Sequence, residues 1–117
     1  MEPVLRDLRS TGVATPRVQS TDWTHDTDLA SAVLHGRDDA GTGVYVSRSA
    51  SVPEQAASMA DQVQEWAIEE LWDHSSTNWP PCPRHPTSHP MRATVQGATA
   101  VWVCPVDEAL VTEIGNL

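Results

Sequence analysis

Residues 78–92 read NWPPCPRHPTSHPMR, and they divide the chain in two. Between Pro80 and Met91, twelve residues hold five prolines, two histidines and one cysteine. Proline fixes its own φ and has no N–H to donate, so this stretch is neither a helix interior nor a central strand. Any regular element upstream must end before it, and any element downstream must begin afresh with its own period.

Upstream the period is helical. Ser51 and Glu54 stand at capping-box spacing, and Pro53 falls in the first turn, where its missing N–H does no harm. Ala56, Met59, Ala60, Val63, Trp66, Ala67 and Leu71 then form one stripe at three- and four-residue spacing, which Ile68 and Trp72 widen. This predicts an amphipathic helix over 53–73. Downstream the period becomes two. MRATV (91–95) alternates, Gln96-Gly97 offers a tight turn, and TAVWV (99–103) alternates back. ALVTEI (109–114) adds a third short strand, closed by Gly115.

Further toward the N-terminus, 17–22 and LASAVLH (29–35) read as strands, as does the β-branched and aromatic VYVS (44–47). GRDDAGTG (36–43) reads as a long polar turn between the last two. Residues 1–16 contain Pro3, Gly12 and Pro16 without a sustained period, and the expectation there is a flexible arm. The resulting organisation is α+β: an arm at 1–16, then a single domain over 17–117. That domain comprises strands over 17–50, the helix over 53–73 and a β module over 79–117.

Composition narrows the classes of function. The 117 residues include no Phe and one Tyr, so the core draws on Val, Leu, Ala and the five Trp. A core of that kind is thin for the length, and a metal crosslink would add to it. Seven basic residues, all Arg, face sixteen acids, for a net charge of -9. Neutralising phosphates needs a basic face, so direct nucleic-acid binding is disfavoured, whereas a basic protein partner is compatible. No apolar run approaches a membrane span, and MEPVLRDLRS lacks the basic-then-apolar layout of a signal peptide. A soluble, cytoplasmic protein is therefore expected.

The chemistry concentrates around the proline segment. Cys82, His85, His89 and Cys104 form the pattern C-x2-H-x3-H-x14-C. Zinc takes four ligands in a tetrahedron from thiolate sulfur and imidazole nitrogen, and two thiolates with two neutral imidazoles balance its charge. Stiff prolines hold the first three inward, and a hairpin returns Cys104 to them. Both cysteines also open the same phrase, CPRH and CPVD. In this the segment over 79–114 resembles a zinc ribbon, in which two ligand-bearing turns on β hairpins clamp one ion. The resemblance implies a structural metal and a three-stranded ribbon. The usual ribbon carries Cys-x2-Cys on both turns, whereas here the second positions are His85 and Asp107. Two ligand sets therefore compete: Cys82, His85, His89 and Cys104 is preferred, with Asp107 in place of His89 as the alternative. The wording WPPCP…H…HP…VWVCP is also similar to short proteins of GC-rich Gram-positive bacteria or their phages, a likeness that carries no activity.

Three functions compete on this reading. The first is a non-enzymatic protein-interaction module with one structural Zn2+. The second is a small zinc-dependent hydrolase, whose open site would leave a coordination position for water with Asp107 or Glu108 nearby. The third is an acidic inhibitor or nucleic-acid mimic using Glu65, Glu69, Glu70 and Asp73 at the end of the helix. Glu70 and His74 also suggest a second metal site, although a solvated face is the simpler reading of those acids. Arg84 and Arg92 are candidates to pair with that face. Trp23, set among polar residues, has no assigned role.

Overall fold

The computed structural model describes residues 1–37, 40–71 and 78–117. Its elements run α1 (Glu2–Ser10), β1 (Arg17–Ser20), β2 (Leu29–His35), β3 (Gly41–Ser47), α2 (Val52–Leu71), β4 (Arg92–Gln96), β5 (Thr99–Val103) and β6 (Leu110–Glu113). The strands form two antiparallel three-stranded sheets, ordered β1-β2-β3 and β4-β5-β6. Helix α2 touches β3 of the first sheet, β4 and β5 of the second, and α1. The α+β class expected from the changing periods is the one observed.

Helix α2 starts as its sequence dictates, with the Ser51 Oγ accepting from the Glu54 N–H at 3.2 Å. Met59, Ala60, Val63, Trp66 and Ala67 are buried on the anticipated stripe, joined by Ala57 and Gln64. The end of the predicted helix, Trp72 and Asp73, lies outside the described residues, as does His74. Two glutamines one heptad apart tie α2 to the edge of the first sheet. Gln62 accepts from the Tyr45 N–H at 3.0 Å and donates to the Tyr45 carbonyl at 2.7 Å, while Gln55 donates to the Ser47 carbonyl at 2.8 Å. Backbone groups that an edge strand would leave bare are thereby satisfied by side chains of the neighbouring helix.

Residues 1–16 correct the expectation of a loose arm. Glu2–Ser10 is a helix, with Pro3 in its first turn and Val4, Asp7 and Leu8 buried. Val4 and Leu8, four residues apart, lie one above the other on a single face and enter the core. A nine-residue helix shows too few turns for its period to stand out, and tertiary packing supplies what local pattern does not.

The glycine-rich stretch is also corrected. Gly41, Thr42 and Gly43 belong to β3 and not to the turn, paired in register with His35, Leu34 and Val33. Trp23 explains the glycine at 43, since a Cβ there would meet its ring atoms at 2.7 Å. The Trp23 indole N–H donates to the carbonyls of Ala32 (3.0 Å) and Val44 (3.2 Å), and its ring meets Tyr45 edge-on at 6.1 Å. Gly43→Val should accordingly displace the indole and cost about 1–3 kcal/mol by overpacking. Thermal unfolding and the exchange rate of the Trp23 indole proton would check this; an unshifted proton would refute the packing argument.

In the second sheet Gln96 pairs with Thr99, so the hairpin turns on Gly97 and Ala98, one residue later than the sequence suggests. Gly97 takes φ +63°, which a type II′ turn requires at its first central position. Central strand β5 is buried on both faces from Ala100 to Val103. Between Trp102 and Val103 the pairing with β6 slips by a residue, a bulge placed just before Cys104.

Candidate metal centre

The proline segment is closed at its base. The Met91 N–H donates to the Pro80 carbonyl at 2.8 Å, and Pro81 and Pro90 face each other in an isolated antiparallel bridge. Buried Gln64 of α2 donates to the Met91 carbonyl and fastens the base to the helix. Within the loop, the His85 N–H donates to the Cys82 carbonyl (3.0 Å) and the Ser88 N–H to the His85 carbonyl (3.1 Å), giving two successive tight turns. A third turn follows β5, where the Glu108 N–H donates to the Cys104 carbonyl at 2.7 Å and the Cys104 N–H to the Ala109 carbonyl at 3.0 Å.

These turns bring the four preferred residues together. One ligand atom from each of Cys82, His85, His89 and Cys104 lies within 4.8 Å of all the others, the only such group of three or more among the described residues. His85 Nδ1 stands 3.9 Å from the Cys82 sulfur and 3.8 Å from the Cys104 sulfur. In a tetrahedral zinc site with Zn–S near 2.3 Å and Zn–N near 2.0–2.1 Å, sulfur and nitrogen ligands are about 3.6 Å apart. The cluster therefore needs only small side-chain adjustments to close on an ion. Both thiols are free and fully buried, while the two imidazoles are half-buried, with ring centroids 5.0 Å apart.

His89 carries the most telling detail. Its Nδ1 lies 3.1 Å from the Pro90 carbonyl, which can only accept, so the ring proton resides on Nδ1. That leaves Nε2 with a lone pair, buried and without a hydrogen-bond partner. Metal-ligating histidines characteristically donate their other ring N–H to a carbonyl in this way, and an orphaned buried acceptor is otherwise costly. The donor set of two sulfurs and two imidazole nitrogens fits zinc by ligand type.

The electrostatics around the Cys82 sulfur favour thiolate. Burial pushes the Cys82 thiol up, but the backbone N–H groups of Arg84 and His85, the Cys104 thiol and the Arg84 charge outweigh it, so it titrates below an ordinary cysteine. Asp107, the alternative ligand, lies beside the Cys104 thiol but already has other partners. Its carboxylate accepts from the Ala109 N–H at 3.0 Å and pairs with Arg84. The Ala109 N–H, the Cys104 thiol and Arg84 hold that carboxyl below the usual range against the opposing effect of partial burial.

Among the described residues, Arg84 and Arg92 make no ion pair with the acids of α2. They pair across the two ligand turns instead, Arg84 with Asp107 and Arg92 with Glu108, because the hairpin places those acids closer. Glu65 and Glu69 are exposed on α2 and Glu70 is half-buried, whereas the suggested partners Asp73 and His74 lie outside the described residues.

The sequence carries one further signal. Each of the four clustered residues is followed by proline, as Cys82-Pro83, His85-Pro86, His89-Pro90 and Cys104-Pro105, while Asp107 is not. A residue before proline is confined to extended backbone, which trims the conformations a ligand loses on ordering. That pattern separates the preferred ligand set from its alternative by sequence alone. The supporting residues Asp7, Thr11 and Gln64 carry no comparable mark. No known protein family, curated protein or solved structure matches the chain.

Proposed function

We propose that the chain is a small zinc-binding protein-interaction module in which Cys82, His85, His89 and Cys104 hold one structural Zn2+. The observation that carries the reading is the convergence of these four donors around an otherwise partnerless His89 Nε2. A bound ion would crosslink the 79–91 loop to the end of β5, beside the Arg84–Asp107 ion pair. Four protein donors complete a tetrahedron, and in such closed sites zinc supplies shape and not a reactive water. This favours the structural role over the hydrolase. The three-stranded meander β4-β5-β6, with one ligand-bearing segment before β4 and the other after β5, is in keeping with a ribbon-like module.

The interaction role draws on the acidic surface. Asp61, Glu65 and Glu69, at four-residue spacing, are exposed along α2 of a chain carrying -9. A protein partner with basic character suits that face better than a nucleic acid does.

Protein purified without added metal should contain close to one zinc per chain by elemental analysis. His89→Ala should lower that content, whereas Asp107→Ala should leave it unchanged. Zinc near zero in a folded, free-thiol protein would overturn the reading. Retention in His89→Ala with loss in Asp107→Ala would move the fourth ligand to Asp107.

A further inference from the structure

We infer that Thr11 and Asp7 of α1 are positioning residues for the four-donor site, acting through Trp79 and Trp102, so that metal binding and docking of α1 favour each other. The inference rests on the metal-binding reading above and adds to it the device that sets the separation of the two cysteine-bearing segments.

Trp79 stands three residues before Cys82, and Trp102 two residues before Cys104. Trp102 lies in β5, and Cys104 directly follows the last residue of that strand, Val103. Both indoles are fully buried and meet edge-to-face at 5.7 Å with an interplanar angle of 84°. Each then sends its single N–H to α1. Trp79 Nε1 donates to Thr11 Oγ1 at 3.0 Å, and Trp102 Nε1 donates to Asp7 Oδ2 at 2.8 Å. An indole nitrogen only donates, so each of these bonds has one sense.

Thr11 is prepared for its part. Its hydroxyl proton goes back into the helix end, toward the carbonyls of Asp7 (2.8 Å) and Leu8 (3.1 Å), which leaves the oxygen lone pairs for Trp79. Asp7 and Thr11 are four residues apart at the end of one helix, on the same side of it. One rigid element thus grips both tryptophans, and each tryptophan lies within three residues of a candidate thiolate ligand.

Coupling follows by linkage. When α1 is docked, the two cysteine-bearing segments are held near the spacing an ion needs, and less ordering remains for the metal to impose. By the same token an ion that fixes the two segments fixes the paired indoles, and with them the acceptors on α1. Such reciprocity is a thermodynamic necessity once the two events are coupled at all. The side-chain bond of Thr11 to the cysteine-bearing segments runs through Trp79, whereas Asp7 also holds the Gly115 and Leu117 N–H groups after β6.

Thr11 is the better test residue because it is solvent-exposed and valine matches its shape. Titration with Co2+ would report affinity, and the visible spectrum would report the ligand set. Thr11→Val should bind Co2+ roughly three- to tenfold more weakly, the worth of one hydrogen bond, with the spectral shape of a two-sulfur, two-nitrogen site preserved. Thr11→Ser, which keeps the hydroxyl, should restore the affinity. In the unaltered chain, stripping the metal with a chelator should speed amide hydrogen exchange in 5–12 more than in β2 and β3. A Thr11→Val protein that melts earlier yet binds Co2+ as tightly as the parent, with exchange in 5–12 indifferent to metal, would overturn the coupling and leave the metal site standing. Failure of the parent chain to bind Co2+ at all would overturn both.

Discussion

Chelation of the metal is expected to lower the melting temperature of the chain by roughly 15 °C. The magnitude follows from mass action: a ligand present at a thousand times its dissociation constant stabilises the folded state by about 4 kcal/mol. For a domain of this size each kcal/mol is worth on the order of 4 °C. Against a total stability of about 5–15 kcal/mol, that is a large share, and the apolar inventory suggests why. The second sheet is built around Trp79, Trp102, Met91 and the two cysteines, and both sulfurs are fully buried in it. Without an ion, two buried thiols and a buried imidazole nitrogen face each other across the site with little to hold them. Cys104→Ser should reproduce the effect of chelation, and adding chelator to that variant should then change nothing further. The ligating forms are thiolate and neutral imidazole, so acidification should release the metal and bring the same loss of stability. A melting curve that ignores both chelator and Cys104→Ser would show that the four donors meet without an ion between them.

How much of this was legible beforehand depends on whether the cause is local. Helix α2 could be read because its cap, its first-turn proline and its stripe all lie within twenty residues. The second sheet could be read because its strands are successive in sequence and joined by short turns. The donor cluster was equally legible, since three of its members share one stiff loop and the fourth returns on the adjoining hairpin. Two long-range features were not. Gly43 looks like a turn residue until Trp23, twenty positions earlier, is laid across it. Helix α1 looks like an arm until the burial of Leu8 and the acceptors offered by Asp7 and Thr11 are seen against Trp79 and Trp102. The pairs involved are separated by 68 and 95 positions, and no local pattern encodes such contacts. The fourth ligand shows the intermediate case. His89 and Asp107 both have acceptable spacing, and they differ in what each side chain does when no ion is considered. Asp107 already has partners in Ala109 and Arg84, whereas His89 Nε2 has none.

Asp7→Ala should be the most damaging single substitution away from the four donors, costing on the order of 3–5 kcal/mol. The carboxylate is fully buried, and three N–H groups replace the water it gave up: Trp102 Nε1 at 2.8 Å, Gly115 N at 2.7 Å and Leu117 N at 2.9 Å. Those donors come from β5 and from the turn after β6, so one side chain of α1 gathers both ends of the described chain. Gly115 adopts φ +105°, a conformation that places its N–H in reach of the carboxylate and that other residues resist. Alanine would leave two buried donors and one half-buried donor unanswered, each buried one costing about 1–3 kcal/mol before relaxation. Asn should fall between the parent and Ala, because it keeps one acceptor oxygen but turns an NH2 group toward an N–H. Equilibrium denaturation of the three proteins would give the order directly. Parity of Ala with the parent would mean that α1 does not dock through Asp7, and would remove the acceptor on which the Trp102 half of the clamp depends. If Ala and Asn instead prove equally damaging, the charge of the carboxylate, and not its oxygen count, is what the three donors require.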